Sequence, residues 1–179
     1  MIIPHPVRLS CSAALTFAAL LIGAPYARAQ QSGAAAASAP AQKLSASAIQ
    51  IERTDVPESM VIPEDFRVAT YENVLLQVAK TGKFKQIFRS GDKRAKDVPD
   101  LVILRMVPVA FKAGSQKQRE VTTVSGATSI KINVRFTDRD GKVLLEKEVQ
   151  GSVCFIGENI RATYDFAKKV RKVVEESFT

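Results

Sequence analysis

Ile130-Lys131-Ile132-Asn133-Val134-Arg135-Phe136-Thr137 is the stretch that decides the fold. Its apolar side chains fall on every second position, and Lys131, Asn133, Arg135 and Thr137 fill the gaps. A period of two predicts a strand with one face buried and the other wet. Asp138-Arg139-Asp140-Gly141 follows as a turn, with Gly141 placed to take a positive φ. The returning strand puts Val143, Leu145, Val149, Val153 and Phe155 on one face, and Glu146, Glu148, Gln150 and Ser152 on the other. Lysine and arginine therefore face glutamate across a hairpin, each pair adding a few tenths of a kcal/mol.

Moving outward, Leu101–Val107 is almost wholly apolar, with Arg105 the interruption. Such a run suggests a central strand covered on both faces. Pro108 cannot donate to a ladder, so a bulge or bare edge is expected there. Residues 112 to 126 read as a polar loop, and Ser90 to Pro99 as a charged, solvated one.

Upstream, Ile49 and Ile51 alternate with Gln50 and Glu52 in a short strand. Pro63 suits a first helical position, and Glu64 and Asp65 favour a helix start. Phe66, Ala69, Val74, Leu75, Val78 and Ala79 give that helix one apolar stripe, and Gly82 ends it. Phe84 to Arg89 follows as a second strand. At the far end, Asn159 is a fair N-cap for a last helix. Its stripe is Ile160, Tyr164, Phe166, Ala167, Val170, Val173 and Val174, with cations placed mostly late in the helix.

The order predicts a mixed α/β (α+β) fold: strand-helix-strand with parallel strands, then an antiparallel meander and a C-terminal helix. Two helices on one face of a mixed sheet is the compact solution. The central strand wants its other face covered, whereas the hairpin is polar there. A covering loop, a second copy or a partner would resolve that mismatch.

The first 29 residues read as an export signal: Arg8, an apolar run from Ala13 to Ile22, then Ala27-Arg28-Ala29 as a cleavage site. Residues 30–45 are an alanine- and serine-rich leader, expected to be flexible. Loss of 29 of the 179 residues on export would leave 150, with residues 46–179 read as one globular domain, enough for a core without disulfides or metal. No second stretch approaches the roughly 20 apolar residues of a membrane helix.

The net charge of +8 stays positive after Arg8 and Arg28 are lost with the signal. A basic exported chain suits anionic lipid or polysaccharide, and no nucleic-acid-binding signature accompanies the charge. Cys11 lies in the signal, after Arg8 and ahead of the apolar core, which does not make a convincing lipoprotein site. Cys154 is then alone, with no intrachain disulfide open to it, and is expected as a small buried core residue. His5 is the single histidine and also lies in the signal. The exported chain lacks the usual general base and commonest metal ligand.

Residues 60 to 155 resemble the bacterial domain-of-unknown-function family 4410. The resemblance is carried by Val74-Leu75-Leu76, Gly82-Lys83-Phe84 and Asp100-Leu101-Val102-Ile103, then by Phe111, Gly114-Ser115, Arg119, Gly126, Asp138 and Gly141. It implies an exported bacterial protein with a mixed α/β fold similar to cell-envelope accessory domains. Among these are the amino-terminal domain of the Tol–Pal translocation protein and lipoproteins that regulate peptidoglycan synthases. It implies no established activity.

Catalytic constellations are sparse. Ser-His-Asp and Cys-His arrangements need a histidine. Ser115 and Lys117 are the nearest Ser-Lys pair, in a loop without a helix to fix them. Asp138 and Asp140 could be paired carboxylates or part of a calcium loop, but a turn explains them fully. No phosphate loop, zinc spacing or cofactor motif is present, so neither catalysis nor a cofactor is expected. Two cationic surfaces remain as candidate binding sites: Lys112, Lys117 and Arg119 in the polar loop, and Arg161, Lys168, Lys169, Arg171 and Lys172 on the last helix. The favoured reading is an exported envelope accessory protein, a non-enzymatic binding or scaffolding module acting on another envelope protein or on itself. The alternative is a binder of an anionic envelope ligand through those cations, and a hydrolase with an unfamiliar site is the third and less favoured reading.

Overall fold

The alternation around Ile130 organises a five-stranded sheet in a computed structural model that describes residues 43–122, 126–154 and 158–179. The expected signal and most of the leader lie outside the described residues. Strand β1 (Ala48–Ile51) is followed by helix α1 (Glu64–Ala79) and strand β2 (Gln86–Arg89). Strand β3 (Leu101–Lys112), a short helix α2 (Gln116–Val121), strands β4 (Thr128–Thr137) and β5 (Val143–Val153) and helix α3 (Arg161–Ser177) complete the chain. The spatial order is β2-β1-β3-β4-β5. Strand β1 is parallel to both β2 and β3, and β3, β4 and β5 form the antiparallel meander.

Side-chain parity decides where the core sits. Ile49, Ile51, Val102, Leu104 and Met106 share a face with Ile130, Ile132, Val134 and Phe136, and all are buried. Helices α1 and α3 pack on that face and on each other, joined at one point by an Asn73–Thr163 hydrogen bond of 2.9 Å. Phe178, one residue past α3, plugs the end of the core against Phe84 and Phe136. It is held there by Leu44, whose N–H donates to Ser177 O at 2.8 Å and whose carbonyl accepts from Thr179 N–H at 3.0 Å.

Several local expectations change. Strand β3 does not stop at Val107; it shifts register between Pro108 and Ala110 and continues to Lys112, so the proline marks a bulge inside a longer strand. Pro63 caps α1 from just outside it. Ala79 and Tyr164 are exposed, not part of the apolar stripes. Asn159 does not cap α3, because Ile160 takes that place and the Asn159 side chain turns elsewhere. The last turn of α3 carries no base; its cations sit mid-helix. Cys154 is exposed, since it lies past the end of β5 on the outward parity of Gln150 and Ser152.

The second face of the sheet is covered at one end only. Phe88, Ala48 and Leu101 point that way and are buried under Ala95. Ala95 belongs to a 3-10 turn, Lys93–Asp97, within what reads as a solvated loop. Arg139, from the β4–β5 turn, fastens this cover by donating to the carbonyls of Ala95, Lys96 and Val98. Three carbonyls at the end of a helical turn are a natural seat for a guanidinium.

Gly151 marks the closest approach of α3 to the sheet. A Cβ there would stand 2.2 Å from Ala162 O and 2.5 Å from Phe166 Cβ. Gly151→Ala should therefore push α3 off β5 and cost ~2–3 kcal/mol, read as a lowered urea midpoint with an unchanged slope. A wild-type midpoint would show that the two elements are not in contact.

Candidate functional site

The loop expected to carry exposed cations is instead built around a buried one. Arg119 is 3% exposed, under the start of β4 and the approach to α3. Its guanidinium donates to Gly126 O and Thr128 Oγ1, and at 2.8 Å to Asn159 Oδ1. Asn159 Nδ2 donates to Gly114 O at 3.1 Å, and Gly114 N–H donates to Thr128 Oγ1 at 3.0 Å. A planar, five-donor cation suits such a ring of carbonyl, hydroxyl and amide oxygens. Two glycines make room for it: a Cβ on Gly114 would lie 2.1 Å from Gly126 O, and Gly126 adopts φ +87°. Gly114, Ser115, Arg119 and Gly126 are among the residues that carry the family-4410 resemblance, and here they form one structural clasp.

The chemistry weighed from sequence at this loop is also used up in folding. Ser115 does have a helix beside it; it is the N-cap of α2 and accepts from Gln118 N–H. Asp138 accepts from Lys142 N–H at 2.9 Å, a turn role. Lys112 and Lys117 remain on the surface, apart from the buried Arg119.

The cations of α3 are interleaved with acids. Lys169 reaches Asp165 and Gln150 O, both at 2.9 Å, Arg171 reaches Glu175 at 2.7 Å, and Lys172 lies 3.9 Å from Glu176. Lys168 lies over the Tyr164 ring, 5.7 Å from its centroid. Arg161 opens the helix and is engaged as well. Asp165 also accepts from Ser152 N–H at 2.9 Å, so α3 closes the outer edge of β5 at Gln150 and Ser152. Glu146 and Glu148 guard the rest of that edge. Strand-to-strand pairing of two β5 edges would bring these like charges together, which disfavours it.

What stays open is the half of the sheet that the 3-10 turn leaves bare. The segment after β1 runs along β3 there, through Glu52 N–H to Leu104 O and Asp55 N–H to Met106 O, both 2.9 Å. Together with β4 it walls a cleft of about 540 Å³, with Arg105 and Val107 in its floor and Arg53, Asp55, Asn133 and Arg135 around it. Arg135 and Glu146 form the hairpin pair expected from the sequence, at 3.0 Å, and Lys131–Glu148 a second at 3.0 Å. Hydrogen bonds from Arg135, then from Asn133, hold the Glu146 carboxyl below its ordinary pKa.

A third feature was not legible as a site. Helix α1 buries Thr70 and Gln77 but leaves Val68 51% and Leu76 59% exposed. At its flank Arg89 of β2 binds Glu72 bidentately, at 2.6 and 2.8 Å, which lowers the Glu72 pKa. Among the described residues no cluster of histidine, cysteine, aspartate and glutamate could hold a metal, and no helix is long and apolar enough to cross a membrane.

The chain matches no family model and no curated protein. Solved structures share its fold. The PelC dodecamer from Paraburkholderia phytofirmans superposes with a TM-score of 0.56 at 9% identity, over 78% of this chain and 94% of that one. A Xanthomonas campestris protein of domain-of-unknown-function family 330 gives 0.49 at 10% identity, over 77% and 87%. A minor lipoprotein from Acinetobacter baumannii gives 0.43 at 10% identity, over 72% and 92%.

The clasp yields a direct expectation. Arg119→Met removes the charged donor of Gly126 O, Thr128 Oγ1 and Asn159 Oδ1, each of which keeps one neutral donor, and should cost ~1–3 kcal/mol of stability. Arg119→Lys cannot reproduce the fork and should recover little of it. Urea denaturation and proteolysis of the loop after Ser115 read both effects; a stable Arg119→Lys variant would show that charge alone suffices.

Proposed function

We propose that the chain is an exported accessory protein of the bacterial envelope that works by protein contact, with copies of itself as its first partner. The observation that carries this reading is the aliphatic pair on the outer side of α1, whose inner side already buries Phe66, Val74, Leu75 and Val78. Thr70 and Gln77 face inward, while Val68 and Leu76 face outward, with exposed Val61 just before the helix. Outward aliphatic side chains gain from being covered, about 25 cal/mol per Å² of apolar surface. The closed edge of β5 removes one of the two sheet edges from strand-to-strand pairing. The assembly of PelC as a dodecamer on a similar fold supports self-association. The signal-like first 29 residues and the family-4410 resemblance support an envelope location. The alternative, an anionic ligand held by α3, is less favoured because Lys169, Arg171 and Lys172 already face Asp165, Glu175 and Glu176.

Light scattering on the exported chain tests the proposal. The expected mass is a multiple of the monomer's, and the double substitution Val68→Lys, Leu76→Lys should return it to monomer with an unchanged melting temperature. A wild-type chain that stays monomeric at every concentration, with no protein captured by crosslinking in cells, would overturn it.

A further inference from the structure

The cleft on the bare half of the sheet has a charge arrangement that the fold itself does not explain. Arg105 and Arg135 are direct cross-strand partners on the same face of β3 and β4. Like charges placed opposite one another destabilise a sheet. Glu146 answers Arg135 with two hydrogen bonds, at 3.0 and 3.2 Å. Arg105 has no such answer: among the described residues it makes no ion pair, and neither does Arg53 across the cleft. Two carboxylates, Asp55 and Glu52, line the same cleft and stay out of salt-bridge reach of both arginines. Glu52 accepts from Ser90 Oγ, which leaves its remaining lone pairs open.

We propose that this cleft binds an acidic saccharide, its carboxylate on Arg105 and Arg53 and its hydroxyls on Asp55 and Glu52. The arginine forks match a carboxylate. A bare inorganic anion would gain from the arginines but be repelled by the two acids. A neutral sugar would use the acids and leave both arginines unanswered. A sugar acid uses all four groups, because its hydroxyls donate to carboxylates while its own carboxylate accepts from guanidinium groups. Val107, half-buried in the floor between them, offers apolar surface to the C–H face of a sugar ring. A cleft of about 540 Å³ is within the size range of small-molecule sites and holds one or two sugar residues. The site lies on β3, β4 and the segment after β1; Arg105 and Asp55 stand apart from the groove that Arg53 shares with Val68 of α1, so their substitutions read this site independently of self-association.

Titration calorimetry of the exported chain with trigalacturonate, maltotriose and inorganic phosphate tests the site. Trigalacturonate should bind at least about tenfold more tightly than either of the others. Arg105→Gln should weaken it about tenfold or more, and Asp55→Asn several-fold, neither lowering the unfolding midpoint. Lys172→Gln, on α3, should leave it unchanged. Absence of trigalacturonate binding, or binding that Arg105→Gln leaves intact, would overturn the proposal. Phosphate binding as tight as trigalacturonate and strengthened by Asp55→Asn would overturn it as well, by showing a plain anion site.

Discussion

Most of this molecule follows from one constraint: the sheet buries one face along its whole width and the other at one end only. The period-two alternation of Ile130, Ile132, Val134 and Phe136 commits β4 to a single apolar side. Its cross-strand neighbours Leu104 and Met106 on one flank and Leu145 and Val149 on the other share that side. Helices α1 and α3 must then both lie there, and their crowding is visible where Phe166 approaches Gly151 with no space for a methyl group. The opposite face receives what remains: Arg105, Lys131, Asn133, Arg135, Glu146 and Glu148. Only the 3-10 turn pinned by Arg139 gives that face partial cover.

The same economy explains why part of the charge on the cationic surfaces suggested by the sequence is engaged within the fold, while Lys112 and Lys117 stay exposed. Arg119 serves as a buried cross-tie from α2 to the start of β4 and the approach to α3, through Gly126 O, Thr128 Oγ1 and Asn159 Oδ1. On α3, Lys169, Arg171 and Lys172 are paired within one turn with Asp165, Glu175 and Glu176, whereas Lys168 lies over Tyr164; Asp165 and Lys169 also seal the edge of β5. Charge that looks like a binding patch in a list of residues is thus spent on closing the fold. Among the charges not spent in this way, Arg53, Asp55 and Arg105 gather in one cleft.

How much of this could be read in advance depended on whether a residue's fate is set locally. The hairpin, its Arg135–Glu146 pair, the turn at Gly141, the parallel first unit and the two-helix layer were all legible, because periodicity and turn chemistry act between near neighbours. Arg119 was not, since a basic residue in a polar loop looks solvated until distant Thr128 and Asn159 turn toward it. Asn159 suits an N-cap by type, yet its amide is more useful bridging Gly114 and Arg119 at a distance of 40 residues or more in the chain. Phe178 lies beyond the helical stripe, so no period points to it; its burial depends on Leu44 closing over the chain end. The outward Val68 and Leu76 were visible as letters, but the direction of α1's polar side is fixed only by its packing against α3.

The account holds that this protein works through the outer side of α1 and not through the cationic helix. Photo-crosslinking in living cells, with the reactive residue placed at position 76 or at position 172, compares the two surfaces in one experiment. The account predicts protein adducts from position 76 and none from position 172; adducts from 172 alone would contradict it.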